Sequence, residues 1–168
     1  MGAMRGPERL SFLAGCALAV AILAVGPASH EVVRHVIQAA PLMLFCVVAV
    51  RRPATLRWLF GPILLFWLFI AVAIWLFLLH IARIVSGTFS PVEIALTIVM
   101  GAASVAGLAG FPMVRRRFPL AGGLGLAVLS LALQVGAFAV SIQPWVAHAD
   151  GREVSDASPR SLPERQPG

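Results

Sequence analysis

The side chains best suited to chemistry in this chain are two histidines with charged neighbours. Glu31, Arg34 and His35 follow one another at helical spacing, and His80 precedes Arg83 by about one turn. Neutral imidazoles can ligate haem or a metal ion, and arginines can hold the propionates of a haem. The sequence therefore raises a cofactor-binding hypothesis, with His35 and His80 as the ligands.

Two other interpretations use the same five residues, which we call the polar outer cluster. At this spacing Glu31, Arg34 and His35 can neutralise one another, while His80 and Arg83 extend to water from the end of an apolar helix. The cluster could instead form the polar entrance of a carrier. The chain shows no metal-ligand periodicity, so we predict neither a metal site nor a resident cofactor.

Signatures of enzymes are absent from the sequence. There is no GxSxG, no HExxH, no glycine-rich phosphate loop after a strand and no acidic pair within an apolar run. We therefore predict no enzymatic activity and no catalytic residue. Cys16 and Cys46 lie inside apolar runs without a CxxC motif, which predicts small buried side chains rather than a disulfide or a metal pair.

The elements that must position these residues are membrane helices. Of the 168 residues, 60% are hydrophobic and only 12% are charged, and the mean hydropathy is +0.92. A soluble domain of this size could not bury so much apolar surface. The composition predicts an all-α, polytopic transmembrane helix bundle. The net charge of +6 comes from arginines in the connectors and the tail, so a nucleic-acid partner is not expected.

Five apolar runs are long enough to span a bilayer, since about 20 helical residues cover roughly 30 Å. The predicted spans are 10–28, 29–50, 58–82, 91–113 and 119–142, which together make a transmembrane domain over 1–142. Ser29 is the expected N-cap of the second span. If the first span is a cleaved signal peptide, four remain. The proline-rich tail 143–168 is predicted to be disordered and extracytoplasmic.

The start of the fourth span carries the clearest local signal. Ser90 is followed three residues later by Glu93, with Pro91 at the first helical position. This pattern is typical of a capping box, in which each side chain binds the other residue's backbone N–H. Glu93 is accordingly interpreted as a helix cap rather than as a catalytic group.

Small residues predict a packed hairpin of the fourth and fifth spans. Glycine and alanine at i, i+3 and i+4 spacing let two helix backbones approach closely in a membrane. We expect interhelical hydrogen bonds between Thr97 and Gln134 and between Ser104 and Ser130. The predicted helix-packing residues are Ala103, Gly107, Gly110, Gly122, Ala132 and Gly136.

Arginine is distributed unevenly between the two sides of the predicted bundle. Eight of the thirteen lie before the first span, between the second and third, or between the fourth and fifth. The positive-inside rule then predicts a cytoplasmic N-terminus and an extracytoplasmic C-terminus. All basic residues are arginine and none is lysine, which favours a bacterial source with GC-rich codons. In a bacterium, a helical bundle of this kind is expected in the inner membrane.

The broad apolar faces and sparse polar interior predict a small accessory or structural subunit of a larger membrane assembly. Its partners would be the lipid bilayer and either another membrane protein or further copies of this chain. The alternative function is a small oligomeric transporter that uses the polar outer cluster as its entrance.

Overall fold

The computed structural model of the protein describes residues 6–82, 89–111 and 118–149, apart from the side chains of 147 and 148. Over these ranges the fold is an all-α helical bundle, as the composition predicts. The helices are α1 Gly6–Ser29, α2 Val32–Arg51, α3 Leu56–Leu78, α4 Pro91–Gly110, α5 Leu120–Ser141 and α6 Pro144–Ala149, and a 3-10 turn at Pro53–Thr55 precedes α3. The first five are long and apolar enough to cross a membrane, which supports a multi-pass membrane protein.

Helix α1 begins earlier than its apolar run. The sequence places the first span at 10–28, whereas the helix already starts at Gly6 and includes Glu8, whose side chain is buried. Charged residues at a helix end do not interrupt the backbone hydrogen bonds, so hydropathy alone underestimates the length of the helix.

Ser29 closes α1 instead of capping α2, which corrects the sequence-based expectation. Its hydroxyl donates to the backbone oxygens of Val25 at 2.9 Å and Gly26 at 3.3 Å, within its own helix. The N-cap of α2 is Glu31, whose side chain makes no capping hydrogen bond.

The turn between α1 and α2 depends on a histidine in the left-handed conformation. His30 has a φ of 57°. Its N–H donates to the oxygen of Pro27 at 3.4 Å, and the next N–H, of Glu31, donates to Gly26 at 2.9 Å. These two bonds define a Schellman motif, which satisfies the last carbonyls of a helix and is usually built on glycine.

Helix α3 ends in the same way, at a second histidine. His80 has a φ of 58°. Its N–H donates to the oxygen of Phe77, and the N–H of Ile81 donates to Leu76, each at 2.9 Å. The helix therefore stops at Leu78, whereas hydropathy extends the third span to 82.

The capping box at the start of α4 is present in the structure. The backbone N–H of Glu93 donates to Ser90 Oγ at 3.3 Å, and that of Ser90 donates to Glu93 Oε2 at 2.7 Å. Pro91 occupies the first helical position, where its missing N–H removes no bond.

The predicted hairpin of the fourth and fifth spans is wrong. Helix α4 packs against α1 and α3, and α5 packs against α2 and α3, so α4 and α5 do not lie side by side in the described part of the chain. Helix α1 also packs against α2. A buried core of leucine, isoleucine and phenylalanine, including Leu18, Ile22 and Phe60, fills the space between these helices.

The small residues of α4 face α1 and α3 rather than α5. A side chain added at Gly107 would meet Leu64 and Ala14, and one added at Gly110 would meet Ser11 and the backbone of Pro7. The buried hydroxyl of Ser11 donates to the oxygen of Gly107 at 3.0 Å, which joins α1 to α4.

The sequence predicts that the whole segment after α5 is disordered, but the first part of it is helical. Residues Pro144–Ala149 form the short helix α6, which contacts α2 and buries Val146 completely while Trp145 stays exposed. The rest of the predicted disordered tail, 150–168, lies outside the described residues.

Candidate functional site

A cavity of about 410 Å³ lies where the C-terminal halves of α1 and α3 meet the starts of α2 and α4. It falls at the end of the bundle that the arginine distribution assigns to the outside. Its lining residues are Ile22, Val25, Ser29, Glu31, Arg34, His35, Gln38, Trp67, Phe69, Ile70, Ala73, Ile74, Phe89, Glu93, Thr97, Met100 and Phe138. All five long helices contribute, so we call it the five-helix cavity.

Three members of the polar outer cluster line this cavity, next to one another. Arg34 Nη1 donates to Glu31 Oε2 at 2.8 Å, with both side chains partly buried. His35 Nδ1 lies 2.8 Å from the backbone oxygen of Glu31. Because a carbonyl oxygen can only accept, Nδ1 of His35 must carry a proton and donate it there. Arg34 therefore pairs with the Glu31 carboxylate as expected, and His35 bonds to the backbone oxygen of the same residue.

The other two members of the cluster are not brought to the cavity. His80 is exposed and is not among the lining residues, and its conformation is explained by the end of α3. Arg83 lies outside the described residues. Among the residues that are described, no group of three or more histidine, cysteine, aspartate or glutamate side chains could hold a metal ion. Nothing in this arrangement favours His35 and His80 as a pair of haem ligands.

Glu93 joins the cavity wall, although the sequence indicates only a capping role. It caps α4 through Oε2 and lies across the cavity from the start of α2. Thr97, one turn further along α4, also lines the wall, and its hydroxyl donates to the oxygen of Ile94 at 2.8 Å. The sequence does not indicate that Glu93 and Glu31 line the same cavity, because they belong to helices that are not consecutive.

Aromatic side chains form the deeper wall. Trp67 and Phe138 line the cavity and meet edge to face, with ring centroids 6.3 Å apart, and Phe66 packs against both of them. Trp67 is only 3% exposed. Its indole N–H has no hydrogen-bond partner within the described ranges of the chain. A buried donor without an acceptor costs free energy, so this indole is a local weakness in the packing of α3.

A polar network that includes the cavity-lining residue Gln38 connects α2 with α5. Gln134 Nε2 donates to the backbone oxygen of Gln38 at 3.1 Å, and Gln38 Nε2 donates to Ser141 Oγ at 2.9 Å. The hydrogen bonds expected between Thr97 and Gln134 and between Ser104 and Ser130 do not form. These pairs presuppose the α4–α5 hairpin, and Gln134 instead serves the contact of α5 with α2.

The two cysteines come together, which the sequence does not indicate. Cys16 Sγ on α1 lies 3.7 Å from Cys46 Sγ on α2. Both thiols are free and only partly buried. Their separation along the chain matches no motif, and only the antiparallel packing of α1 on α2 makes them neighbours.

Comparisons with protein-family models, with curated proteins and with solved structures find no match to this chain. The site must therefore be interpreted from its own chemistry. It combines an ion pair and a second carboxylate at its rim with aromatic and aliphatic side chains below them. Such an arrangement is suited to binding a small amphiphilic or apolar molecule.

Proposed function

We propose that this protein is a small, non-catalytic accessory or structural subunit of a larger membrane assembly. The observation that carries the proposal is the open face of α5. This helix buries only Gly123, Ser130, Gln134 and Ser141 within the chain. Its small residues Gly122, Gly125, Ala132, Gly136 and Ala139 are all exposed.

The exposed small residues of α5 share one side of the helix. At about 100° per residue, they project roughly opposite to the buried positions. A side chain added at Gly125 or Gly136 would meet no atom of the described chain within 4 Å. Small residues permit close backbone approach between membrane helices, and lipid contact alone does not require them. We assign this small-residue face to a transmembrane helix of a partner protein.

The experiment is purification from the native membrane in a mild detergent, followed by mass analysis of the intact complex. A larger protein present in fixed stoichiometry supports the proposal. Ala132→Leu adds bulk to the small-residue face and should remove most of that partner. Ala102→Leu makes the same change at an exposed position of α4 and should leave the complex intact. A pure homo-oligomer, unaffected by either change, would contradict the proposal.

The five-helix cavity favours a second function, that of a small oligomeric carrier. Its polar entrance would contain Glu31, Arg34 and His35, together with Glu93 from α4, because these side chains line the cavity at its outer end. This carrier hypothesis does not require His80 or Arg83 at the entrance. The same purification distinguishes the two functions, since a carrier should appear as copies of this chain alone.

The location that fits either function is the inner membrane of a bacterium, with the N-terminus in the cytoplasm. The support is the arginine-only basic composition and the concentration of eight arginines on one side of the five helices. In this orientation the five-helix cavity opens toward the extracytoplasmic face.

A further inference from the structure

A second cavity, of about 490 Å³, lies at the arginine-rich end of the bundle. Helix α3 packs against both α4 and α5, and these two do not lie side by side in the described part of the chain. The gap between them is an open groove. Its floor is α3 from Arg57 to Leu65, and its sides are Leu108 and Phe111 at the end of α4 and Ala127 on α5. We call it the α3 groove.

The α3 groove has the length and polarity of a lipid acyl chain. Eight residues separate Arg57 from Leu65, which corresponds to roughly 12 Å along the helix axis. The hydrocarbon of one leaflet is about 15 Å deep, half of the thickness of the bilayer core. Beyond Arg57 and Trp58 at its outer end, the lining is entirely apolar. An acyl chain that enters the groove therefore places its headgroup beside Arg57.

Arg57 is the only charged residue in the lining, and its side chain is exposed. Its guanidinium carbon lies 4.9 Å from the centre of the Trp58 ring. That ring is fixed against α5, because a side chain added at Gly123 would overlap it. Within the described ranges, the Arg57 side chain forms no ion pair with a carboxylate. The guanidinium is thus positioned to donate to the oxygens of a phosphate.

The surrounding charges favour an anion at this end of the bundle. Arg51 and Arg52 are exposed at the same end. The connector 112–117 carries three more arginines and joins α4 to α5 here, although its placement lies outside the described residues. In the described chain the only acidic residue at this end is Glu8, on α1, and α1 does not line the groove. A negative headgroup therefore meets an excess of positive charge.

We propose that the α3 groove binds an anionic phospholipid, with one acyl chain between α4 and α5 and the phosphate accepting hydrogen bonds from Arg57. Basic pockets between membrane helices recognise anionic headgroups in this way. A zwitterionic lipid has the same phosphate but adds a cation, which the neighbouring arginines repel.

This proposal is independent of the accessory role proposed above. At about 100° per residue, Ala127 projects roughly 140° away from Ala132, which belongs to the small-residue face of α5. A lipid in the α3 groove therefore leaves that face free for a partner helix, and either proposal can fail alone.

The test uses the full-length chain, labelled with ¹⁵N at its four tryptophans and held in micelles of an uncharged detergent. The probes are phosphatidylglycerol, phosphatidylcholine with the same acyl chains, and glycerol phosphate, which has none. We expect phosphatidylglycerol alone to shift the Trp58 indole signal in a saturable manner. Trp75 is the internal control, because it lies near the other end of α3 and does not line the groove. Trp58→Phe and Trp75→Phe assign the two signals.

Two pairs of variants separate a site from general attraction to the arginine-rich end. Arg57→Gln should weaken phosphatidylglycerol binding about fivefold. Arg51→Gln removes the same charge from the same end but not from the groove. In about 0.5 M salt, where the screening length is about 4 Å, it should change binding by less than about twofold. Ala127→Leu fills the groove and should weaken binding, whereas Ala132→Leu should not.

Equal saturable shifts with the two phospholipids, or no saturable Trp58 shift with phosphatidylglycerol, would overturn the proposal. A shift with glycerol phosphate at the same concentrations would indicate a site for a free anion instead of a lipid. Equal weakening by Arg57→Gln and Arg51→Gln would show attraction without a site. A dimer in micelles that Ala127→Leu dissociates would mean that a second copy covers the groove. If Arg57→Gln loses its helical circular dichroism, the two phospholipids on the unmodified chain still decide the question.

Discussion

His30 and His80 show how a residue that resembles a ligand can have a backbone role. Both occupy the left-handed position that ends a helix, with φ near 57°. L-residues pay an energetic cost there that glycine does not pay, and histidine pays it less severely than β-branched residues do. The two turns set the direction in which the backbone leaves α1 and α3.

We predict that His80→Gly retains or raises stability, by up to about 1 kcal/mol, because glycine relieves the left-handed strain but costs some chain entropy when the protein folds. His80→Val should be clearly destabilising, since a β-branched residue fits this conformation poorly. Unfolding midpoints in a detergent titration with sodium dodecyl sulfate measure both changes. A large loss of stability in His80→Gly would show that the imidazole itself makes an essential contact.

The cysteine pair allows a direct check of the α1–α2 contact. The two Sγ atoms, 3.7 Å apart, need to approach to about 2.05 Å to form a disulfide. We predict that diamide, which takes up the two electrons and two protons released, converts the Cys16 and Cys46 thiols into an intramolecular disulfide. Intact mass analysis should then show the loss of two hydrogen atoms.

Cys46→Ser serves as the control for this oxidation, because it leaves Cys16 without a partner. The variant should keep its mass, apart from any dimer formed between chains. If the unmodified chain forms only such intermolecular dimers, the helices α1 and α2 do not meet in the register described here.

Among single residues, the sequence was informative only where the chemistry is local. The capping box of Ser90 and Glu93 depends on four consecutive positions, and it could be predicted. The roles of Trp67 and of the cysteine pair depend on which helices are neighbours, and no short motif encodes that. Histidine at a helix end carries no signal as clear as glycine would, so the Schellman turns at His30 and His80 could not be foreseen.

At the scale of the helix, α1 packs against three neighbours, α2, α3 and α4. Gly15 lies directly beneath the ring of Phe60, which is fully buried on α3. Further toward its N-terminus, α1 meets α4 at Gly107 and Gly110. Close backbone approach at such positions is the main source of helix association in membranes, because apolar contact alone gains little over contact with lipid.

We predict that Gly15→Ala lowers the free energy of unfolding by about 1–3 kcal/mol, the usual cost of overpacking a core. Its added methyl group would overlap Phe60, a ring that has no exposed side toward which to move. Gly125→Ala is the matched control, since the added methyl on α5 meets open space. Equal stability of the two variants, measured by detergent unfolding, would contradict the close contact of α1 with α3.

Helix number and approximate position follow from hydropathy, because the bilayer requires about 20 apolar residues for every span. Helix pairing does not follow from it. In a lipid solvent the side of a helix facing acyl chains is as apolar as the side facing another helix, so the sequence lacks the polar stripe that orients a helix in water. The sequence therefore predicts contact between the small residues of α4 and α5, although α4 packs them against α1 and α3, and α5 leaves Gly122, Ala132 and Gly136 exposed.

For the whole molecule, the charged residues of the described chain lie toward the two ends of the bundle. The five-helix cavity, the polar residues that line its rim and the capped start of α4 share one end. The opposite end carries Arg51, Arg52 and Arg57, the last lying 4.9 Å above the ring of Trp58. Arginine beside an interfacial tryptophan is typical of the boundary between lipid and water.

Orientation in the membrane is the prediction that belongs to this scale. With five spans the termini lie on opposite sides, and the positive-inside rule places the arginine-rich end in the cytoplasm. Alkaline phosphatase fused after Gly168 should therefore be active in a bacterial host, and green fluorescent protein at the same position should be dark. The reverse pattern would mean either that the five helices do not all cross the bilayer or that the bundle is inserted upside down. A fluorescent protein fused to the N-terminus separates these two explanations, because it stays bright with an even number of spans and turns dark if the whole bundle is inverted.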